Sequence, residues 1–219
     1  MGDTAHRTVI ARYSEGERIN HWIIAITFVL AALSGLALFH PSLYWMSSLV
    51  GGGTWSRILH PFFGVLMTIS FVLMARAVAK YNRMDARDWQ WLREMPKATS
   101  HDDPRLPEVG RYNGGQKILF KLLVASMALL LLSGVVIWRS YFSAYFPIGV
   151  IRIAAVVHAL AGFVLVCSII GHAYMAIFAV TGSMGAMTRG VVSPGWAWRH
   201  HRAWFRESIR AANPRTRAD

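Results

Sequence analysis

The sequence predicts an all-α integral membrane protein folded as a four-helix bundle, and three observations lead there. Of the 219 residues, 54% are apolar and only 16% are charged, and the charges fall between long runs that carry none. Each run is long enough to cross a hydrocarbon layer about 30 Å thick as a helix, the simplest structure that satisfies its own backbone in lipid. Two histidines, His158 and His172, stand inside the last run, where an ionisable ring is costly enough to mark a ligand or a relay.

The flanking charges place the elements in order. Transmembrane helices are expected at about 19–39, 55–78, 117–138 and 149–181 within a single domain over 1–219, with snorkelling Arg or Lys at their ends. The first run has the length of a secretory signal, but it follows a mixed-charge arm and has no small-residue cleavage site after it, so it is expected to stay in the mature chain. Pro41 and Gly51-Gly52-Gly53 bound an outer loop with room for a short interfacial helix at 43–49. The next loop, 79–116, is the longest polar stretch. Within it Asp88-Trp-Gln-Trp-Leu-Arg93 reads as a surface helix with tryptophans at headgroup level, and Pro96, Pro104 and Pro107 interrupt the chain after it. The tail, 182–219, alternates aromatic and basic residues from Trp196 to Ala212, as a helix lying on a membrane or on a neighbouring subunit does.

Lysine and arginine are distributed asymmetrically. Arg7, Arg12 and Arg18 precede the first span, a second basic cluster runs from Lys80 to Lys117, and a third from Arg189 to Arg217; the two opposite loops hold only Arg57, Arg139 and Arg152. The positive-inside rule therefore puts both termini in the cytoplasm. Topology accounts for most of the net charge of +12, and with no recognition motif beside the basic residues no nucleic-acid partner is expected. Cys167, the single cysteine, closes no intrachain disulfide and by itself holds no iron–sulfur cluster. No Cys-x-x-Cys-His attaches haem covalently, so any haem here is b-type.

Position sorts the nine histidines. His6, His101, His200 and His201 lie in polar arms, where a solvated surface role is expected, and His40 precedes Pro41 at an interface. His21, His60, His158 and His172 stand inside or at the first turn of apolar spans. On one helix, fourteen residues set His158 and His172 about 21 Å apart and only about 40° apart in direction. One face thus presents two imidazoles near opposite sides of the bilayer, the geometry of a helix that ligates two stacked haems. Depth pairs His60 with His158 at the outer side and His21 with His172 at the inner side. Each pair fills both axial positions of one iron, which favours electron transfer over chemistry at the metal.

Four residues after these histidines, on the same helical face, stand Ala25, Gly64, Gly162 and Ala176. A small residue there lets a flat macrocycle approach the backbone, although small residues also serve close helix packing. A non-haem metal site or a transport path is the alternative from another class. Zinc asks for three or four converging ligands, and a proton path for acidic residues, which the spans lack.

Five segments carry a family resemblance: Arg18-Ile-Asn-His-Trp22, Arg57-Ile-Leu-His-Pro-Phe-Phe-Gly64, Gly110-Arg-Tyr-Asn-Gly-Gly-Gln-Lys117, Gly134-Val-Val-Ile-Trp-Arg139 and His172-Ala-Tyr-Met-Ala176. Over about residues 8 to 206 the chain resembles the cytochrome b (gamma) subunit of respiratory, membrane-bound formate dehydrogenases. The resemblance implies a four-helix anchor in the bacterial inner membrane carrying two b haems on His21, His60, His158 and His172. It also implies an iron–sulfur (beta) subunit and a molybdenum- or tungsten-containing catalytic (alpha) subunit as partners, assembled as a trimer of heterotrimers. Electrons would pass from the outer haem to the inner one and then to a quinone, menaquinone or ubiquinone, at a pocket near the inner haem. That pocket includes Asn113 and Gly115, with Gln116, Lys117 and His172 at the same depth. Formate oxidation is not expected of this chain alone.

Two readings stay open beside it. A cytochrome b serving another periplasmic oxidoreductase, such as a hydrogenase or thiosulfate reductase, follows the same anchor logic. Arg57, Arg139 and Arg152 outside, and Arg18 and Lys117 inside, are candidate partners for haem propionates and equally good membrane-end anchors. Asn113 followed by glycine is also the signature of a turn capping the third span.

Overall fold

Side-chain caps decide where the spans begin. In the computed structural model, which describes residues 9–98 and 106–212, four helices are long and apolar enough to cross a membrane: Glu15–Phe39, Gly53–Tyr81, Gly114–Ile137 and Ile148–Ala179. His6, His101, Pro104, Arg7, Arg105, Arg215 and Arg217 lie outside the described residues. The first helix, α1 (Glu15–Phe39), starts earlier than expected because Ser14 and Glu17 cap it reciprocally. The Ser14 N–H donates to Glu17 Oε2 at 2.8 Å and the Glu17 N–H donates to Ser14 Oγ at 3.3 Å. The second is α2 (Gly53–Val78), ending in a short 3-10 turn.

Between them, Pro41–Val50 is a 3-10 helix rather than a short α-helix. His40 caps it, its Nδ1 accepting from the Ser42 N–H at 3.2 Å, and Gly51 ends it at φ 84°, a left-handed conformation that favours glycine. The loop helix is α3 (Ala86–Glu94), where the Trp-x-Trp pattern placed it. Next comes α4 (Gly114–Ile137), three residues earlier than expected, and then α5 (Ile148–Tyr174). The last span does not continue as α-helix to 181: it widens into a π-helical turn over Met175–Ala179.

The tail forms α6 (Met184–Thr188), α7 (Pro194–His200) and α8 (Arg202–Ala212). One feature departs from an all-α chain: β1 (Ile10–Ala11) pairs antiparallel with β2 (Val191–Val192), Ile10 opposite Val192. Strands of two residues are too short to show the alternation by which strands are read from sequence.

The chain divides into two compact units. One, the span unit, comprises Ile19–Ala77 and Lys121–Ala173; the other comprises the described parts of Met1–Arg18, Val78–Phe120 and Tyr174–Asp219 and is called the flanking unit after its place in the sequence. In the span unit all four long helices contribute to one core, Met67, Met127 and Leu165 packing with Ile24, Phe28 and Ile169. Its polarity is inverted relative to a soluble bundle. Thr27, Ser34, Ser70, Ser126 and Ser133 are buried, while Ile153, Leu160, Phe163 and Ile170 on α5 are exposed. Small hydroxyl residues at helix contacts with large apolar residues outward is the pattern of helices packed in lipid. Three of these hydroxyls donate within their own helices: Thr27 to the Ile23 carbonyl at 2.6 Å, Ser34 to that of Leu30 at 2.7 Å and Ser133 to that of Leu129.

The flanking unit has its own core of Ala186, Val192, Ala197 and Trp204. The Arg12 guanidinium lies 4.2 Å from the centre of the Trp204 ring and donates to the Arg111 carbonyl, while Arg111 donates back to the Arg12 carbonyl at 2.7 Å. His201 is buried beside them, within hydrogen-bond distance of the Gly110 carbonyl at 2.8 Å; burial first, and then the nearby Arg12 charge, push its pKa down to about 3. The polar-arm histidine expected to be solvated is therefore a core residue.

Candidate functional site

The span unit brings the four buried-span histidines together in two pairs. The ring centres of His60 and His158 are 6.1 Å apart with the planes at 70°, and those of His21 and His172 are 6.3 Å apart at 53°. With a metal–nitrogen bond of about 2 Å and about 1 Å more to each ring centre, two imidazoles trans on one metal have centres about 6 Å apart. Both pairs meet that spacing, and they are the pairs expected from depth. His172 is exposed and the other three rings are half-buried, so each keeps surface against which a macrocycle can lie. Among the described residues no group of three or more His, Cys, Asp or Glu is arranged to hold a metal ion.

His60 and His158 are each held by the preceding long helix in the same way. His60 Nδ1 lies 3.0 Å from Ser34 Oγ and 3.1 Å from the Ala31 carbonyl; His158 Nδ1 lies 3.0 Å from Ser133 Oγ. Both serine protons are already committed, that of Ser34 to the Leu30 carbonyl and that of Ser133 to the Leu129 carbonyl. The oxygens therefore accept, the hydrogen sits on Nδ1, and Nε2 keeps its lone pair for a metal. The glycine after each serine makes room for the ring. A Cβ on Gly35 would stand 2.9 Å from His60 Cε1, and one on Gly134 would stand 3.2 Å from His158 Cε1.

Sequence reasoning missed these four residues. The signal was present: Leu-Ser-Gly occurs at 33–35 and again at 132–134, with the histidine twenty-six or twenty-five residues beyond the serine. The inner pair lacks this support at one ring, since His21 Nδ1 is buried without a hydrogen-bond partner among the described residues.

The family described as prokaryotic cytochrome b561 matches residues 12–190. The chain belongs to that family. Membership in a cytochrome b family implies haem b, and the bis-histidine pairs fit it. Similar proteins include the formate dehydrogenase cytochrome b556(fdo) subunit of Escherichia coli K12, 42% identical over 201 residues, which covers 92% of this chain and 94% of that one. The nitrate-inducible formate dehydrogenase cytochrome b556(Fdn) subunit of the same strain is 39% identical, covering 93% of each chain. The formate dehydrogenase cytochrome b556 subunit of Haemophilus influenzae is 35% identical over 94% of this chain and 87% of its own.

In this cytochrome the small residues one turn past the ligands differ in what surrounds them. A Cβ on Gly64 would meet nothing within 4 Å, and one on Gly162 would meet only Leu130 Cδ2 at 3.8 Å. Both leave space beside the ligand's turn. Ala25 is half-buried within α1. Ala176 falls in the π-helical turn, where an offset of four residues no longer guarantees a shared face.

The charged candidates also separate. Arg57 lines a cleft of about 360 Å³ with His40, Tyr44 and Pro41, a basic and hydroxylic lining suited to an anionic group. Arg18 spends one guanidinium N–H on the Thr188 carbonyl at 2.7 Å, while its Nε is buried without a partner among the described residues. Lys117 is not free for a propionate. Its Nζ lies 2.7 Å from Asp88 Oδ2, tying α4 to α3.

The candidate quinone residues divide between the units: Asn113, Gly115 and Gln116 belong to the flanking unit and His172 to the span unit. Asn113 and Gln116 form a reciprocal cap on α4, the Gln116 N–H donating to Asn113 Oδ1 at 2.8 Å and the Asn113 N–H to Gln116 Oε1 at 3.0 Å. The cap uses both side-chain oxygens and leaves the two amide NH2 groups as donors. A Cβ on Gly114 would stand 2.8 Å from the Asp88 carbonyl oxygen, and one on Gly115 would stand 3.3 Å from the Trp91 ring. The glycines therefore admit α3 against the first turn of α4.

Proposed function

We propose that this chain is the di-haem cytochrome b subunit of a formate dehydrogenase, carrying electrons from a periplasmic iron–sulfur subunit to quinone on the cytoplasmic side of the bacterial inner membrane. The observation that carries the reading is the pair of bis-histidine arrangements, each with its ring centres at the spacing of trans ligands on one metal. Bound haem supplies reversible one-electron storage at each pair. The protein supplies the rest. Nε2 of His60 and His158 would hold the outer haem and that of His21 and His172 the inner one. The chemistry such pairs would supply is electron transfer rather than reaction with a substrate at the metal.

The polarity rests on the basic residues, whose excess beside Arg18, in 79–116 and after Arg189 puts the His21/His172 end at the cytoplasm. Fourteen residues of α5 then carry the two levels about 21 Å apart. The amide groups of Asn113 and Gln116 that the cap leaves unused can donate hydrogen bonds to a quinone carbonyl. Inward electron flow with proton uptake from the cytoplasm separates charge across the membrane. The names of the relatives support a formate dehydrogenase complex; within it the proposed partners are an iron–sulfur subunit and a molybdenum- or tungsten-containing catalytic subunit, and the proposed assembly is a trimer of heterotrimers.

The test is a set of single His→Ala variants in the assembled complex, read by reduced-minus-oxidised absorbance. The native complex should show two b haems per chain. His60→Ala or His158→Ala should remove one component and His21→Ala or His172→Ala the other. Quinone reduction should stop in the inner variants while dye-linked formate oxidation by the complex continues. Retention of both haems in His172→Ala, or unimpaired quinone reduction there, sinks the assignment. Copurified subunits that oxidise hydrogen or act on thiosulfate would replace formate dehydrogenase with another periplasmic enzyme.

A further inference from the structure

The two Leu-Ser-Gly segments make the histidine pairs chemically unequal. At the outer pair both Nδ1–H groups meet a serine oxygen at 3.0 Å, and the Ala31 carbonyl, 3.1 Å from His60 Nδ1, stands by as a second acceptor there. At the inner pair, His21 Nδ1 has no such partner among the described residues. A ligating imidazole that donates its remote N–H gains anionic character and becomes a stronger donor through Nε2. A stronger axial donor stabilises ferric iron over ferrous and lowers the potential. In an apolar bundle these hydrogen bonds act in a low dielectric, where they weigh more than in water.

We propose that Ser34 and Ser133 are positioning residues that orient His60 and His158 and hold the outer haem at a lower potential than the inner one. This rests on the di-haem reading above. The consequence is a downhill step for one electron from the His60/His158 level to the His21/His172 level, one oxidation balanced by one reduction, with no proton moved. Gly35 and Gly134 belong to the same device, because a Cβ at either would press on the ring that the serine holds.

The experiment is a potentiometric titration of the b absorbance in the assembled complex for Ser34→Ala, Ser133→Ala and the double variant, with Ser34→Thr and Ser133→Thr as hydroxyl-retaining controls. His60→Ala identifies which component is the outer one. The double alanine variant should raise the outer potential by a tenfold change in the ferrous-to-ferric ratio at fixed ambient potential, about 59 mV for one electron. The inner component should not move, and the threonine variants should stay near the native value. An unmoved outer potential at full haem content overturns the proposal, as do equal shifts of both components, threonine variants that behave like alanine, or alanine variants that bind no outer haem. If His60→Ala and His158→Ala each leave the haem content intact, the di-haem reading itself has failed, a result distinct from a null shift in the serine variants.

Discussion

Lys117 and Asp88 form an ion pair with Nζ and Oδ2 2.7 Å apart and side chains only 11% and 8% exposed. Asp88 Oδ2 also accepts from the Asp85 N–H at 2.8 Å, and Asp85 Oδ1 accepts from the Asp88 N–H at 3.1 Å, so one carboxylate both caps α3 and anchors α4. Removing one partner strands the other charge. Asp88→Ala or Lys117→Met should each destabilise the protein by about 3 kcal/mol, read as a lower thermal midpoint in detergent. The double variant Asp88→Leu/Lys117→Met should recover much of that loss. A double variant as unstable as the sum of the singles would show that the two side chains do not act as a pair.

Asn113 serves two roles that one substitution separates. Serine is as good an N-cap as asparagine, whereas alanine costs about 1 kcal/mol. Asn113→Ser should therefore keep the thermal midpoint and haem content but lower quinone reduction, since it removes the amide donor. Native quinone kinetics in that variant would leave Asn113 as a cap alone.

Gly64 tests the small-residue idea without haem chemistry as its premise. Since a Cβ there meets nothing within 4 Å, the chain itself tolerates a larger residue. Gly64→Leu should leave the amount of membrane-inserted protein unchanged and lower the outer haem content. Gly16→Leu, also in open space but in the flanking unit, is the control. Equal haem in both would remove Gly64 from the haem site.

His201 sets an acid limit on the flanking unit. Unfolded, it titrates near 6.5; folded, at about 3. Between those values the unfolded state binds a proton that the folded state does not. Stability from the neutral buried ring is thus fully present above about pH 6.5 and declines as pH falls toward 3, by up to about 1.4 kcal/mol per pH unit. The thermal midpoint of the native protein should drop across that window, and His201→Gln should show a shallower dependence. Parallel pH profiles would refute burial of the neutral ring.

The spans and the histidine pairing were legible because each depends on one-dimensional quantities. Hydropathy counts residues against membrane thickness, and depth follows from the distance of His21, His60, His158 and His172 to charged span ends. The starts of α1 and α4 were off by a few residues because reciprocal caps at Ser14–Glu17 and Asn113–Gln116 extend the helices into polar sequence. His201 was misread because its basic neighbours suggested solvent, whereas its contacts with Trp196 and Trp204 depend on how α7 and α8 pack.

By itself the sequence determined that four apolar helices carry two histidine levels, since burial in lipid forces backbone self-satisfaction and makes each intramembrane imidazole a deliberate placement. Only the tertiary structure decided which groups hold those rings. The acceptors for His60 and His158 are Ser34 and Ser133, more than twenty residues away on other helices. A hydrogen bond depends on ångström-scale approach and direction, and that is settled when helices pack, not when they form.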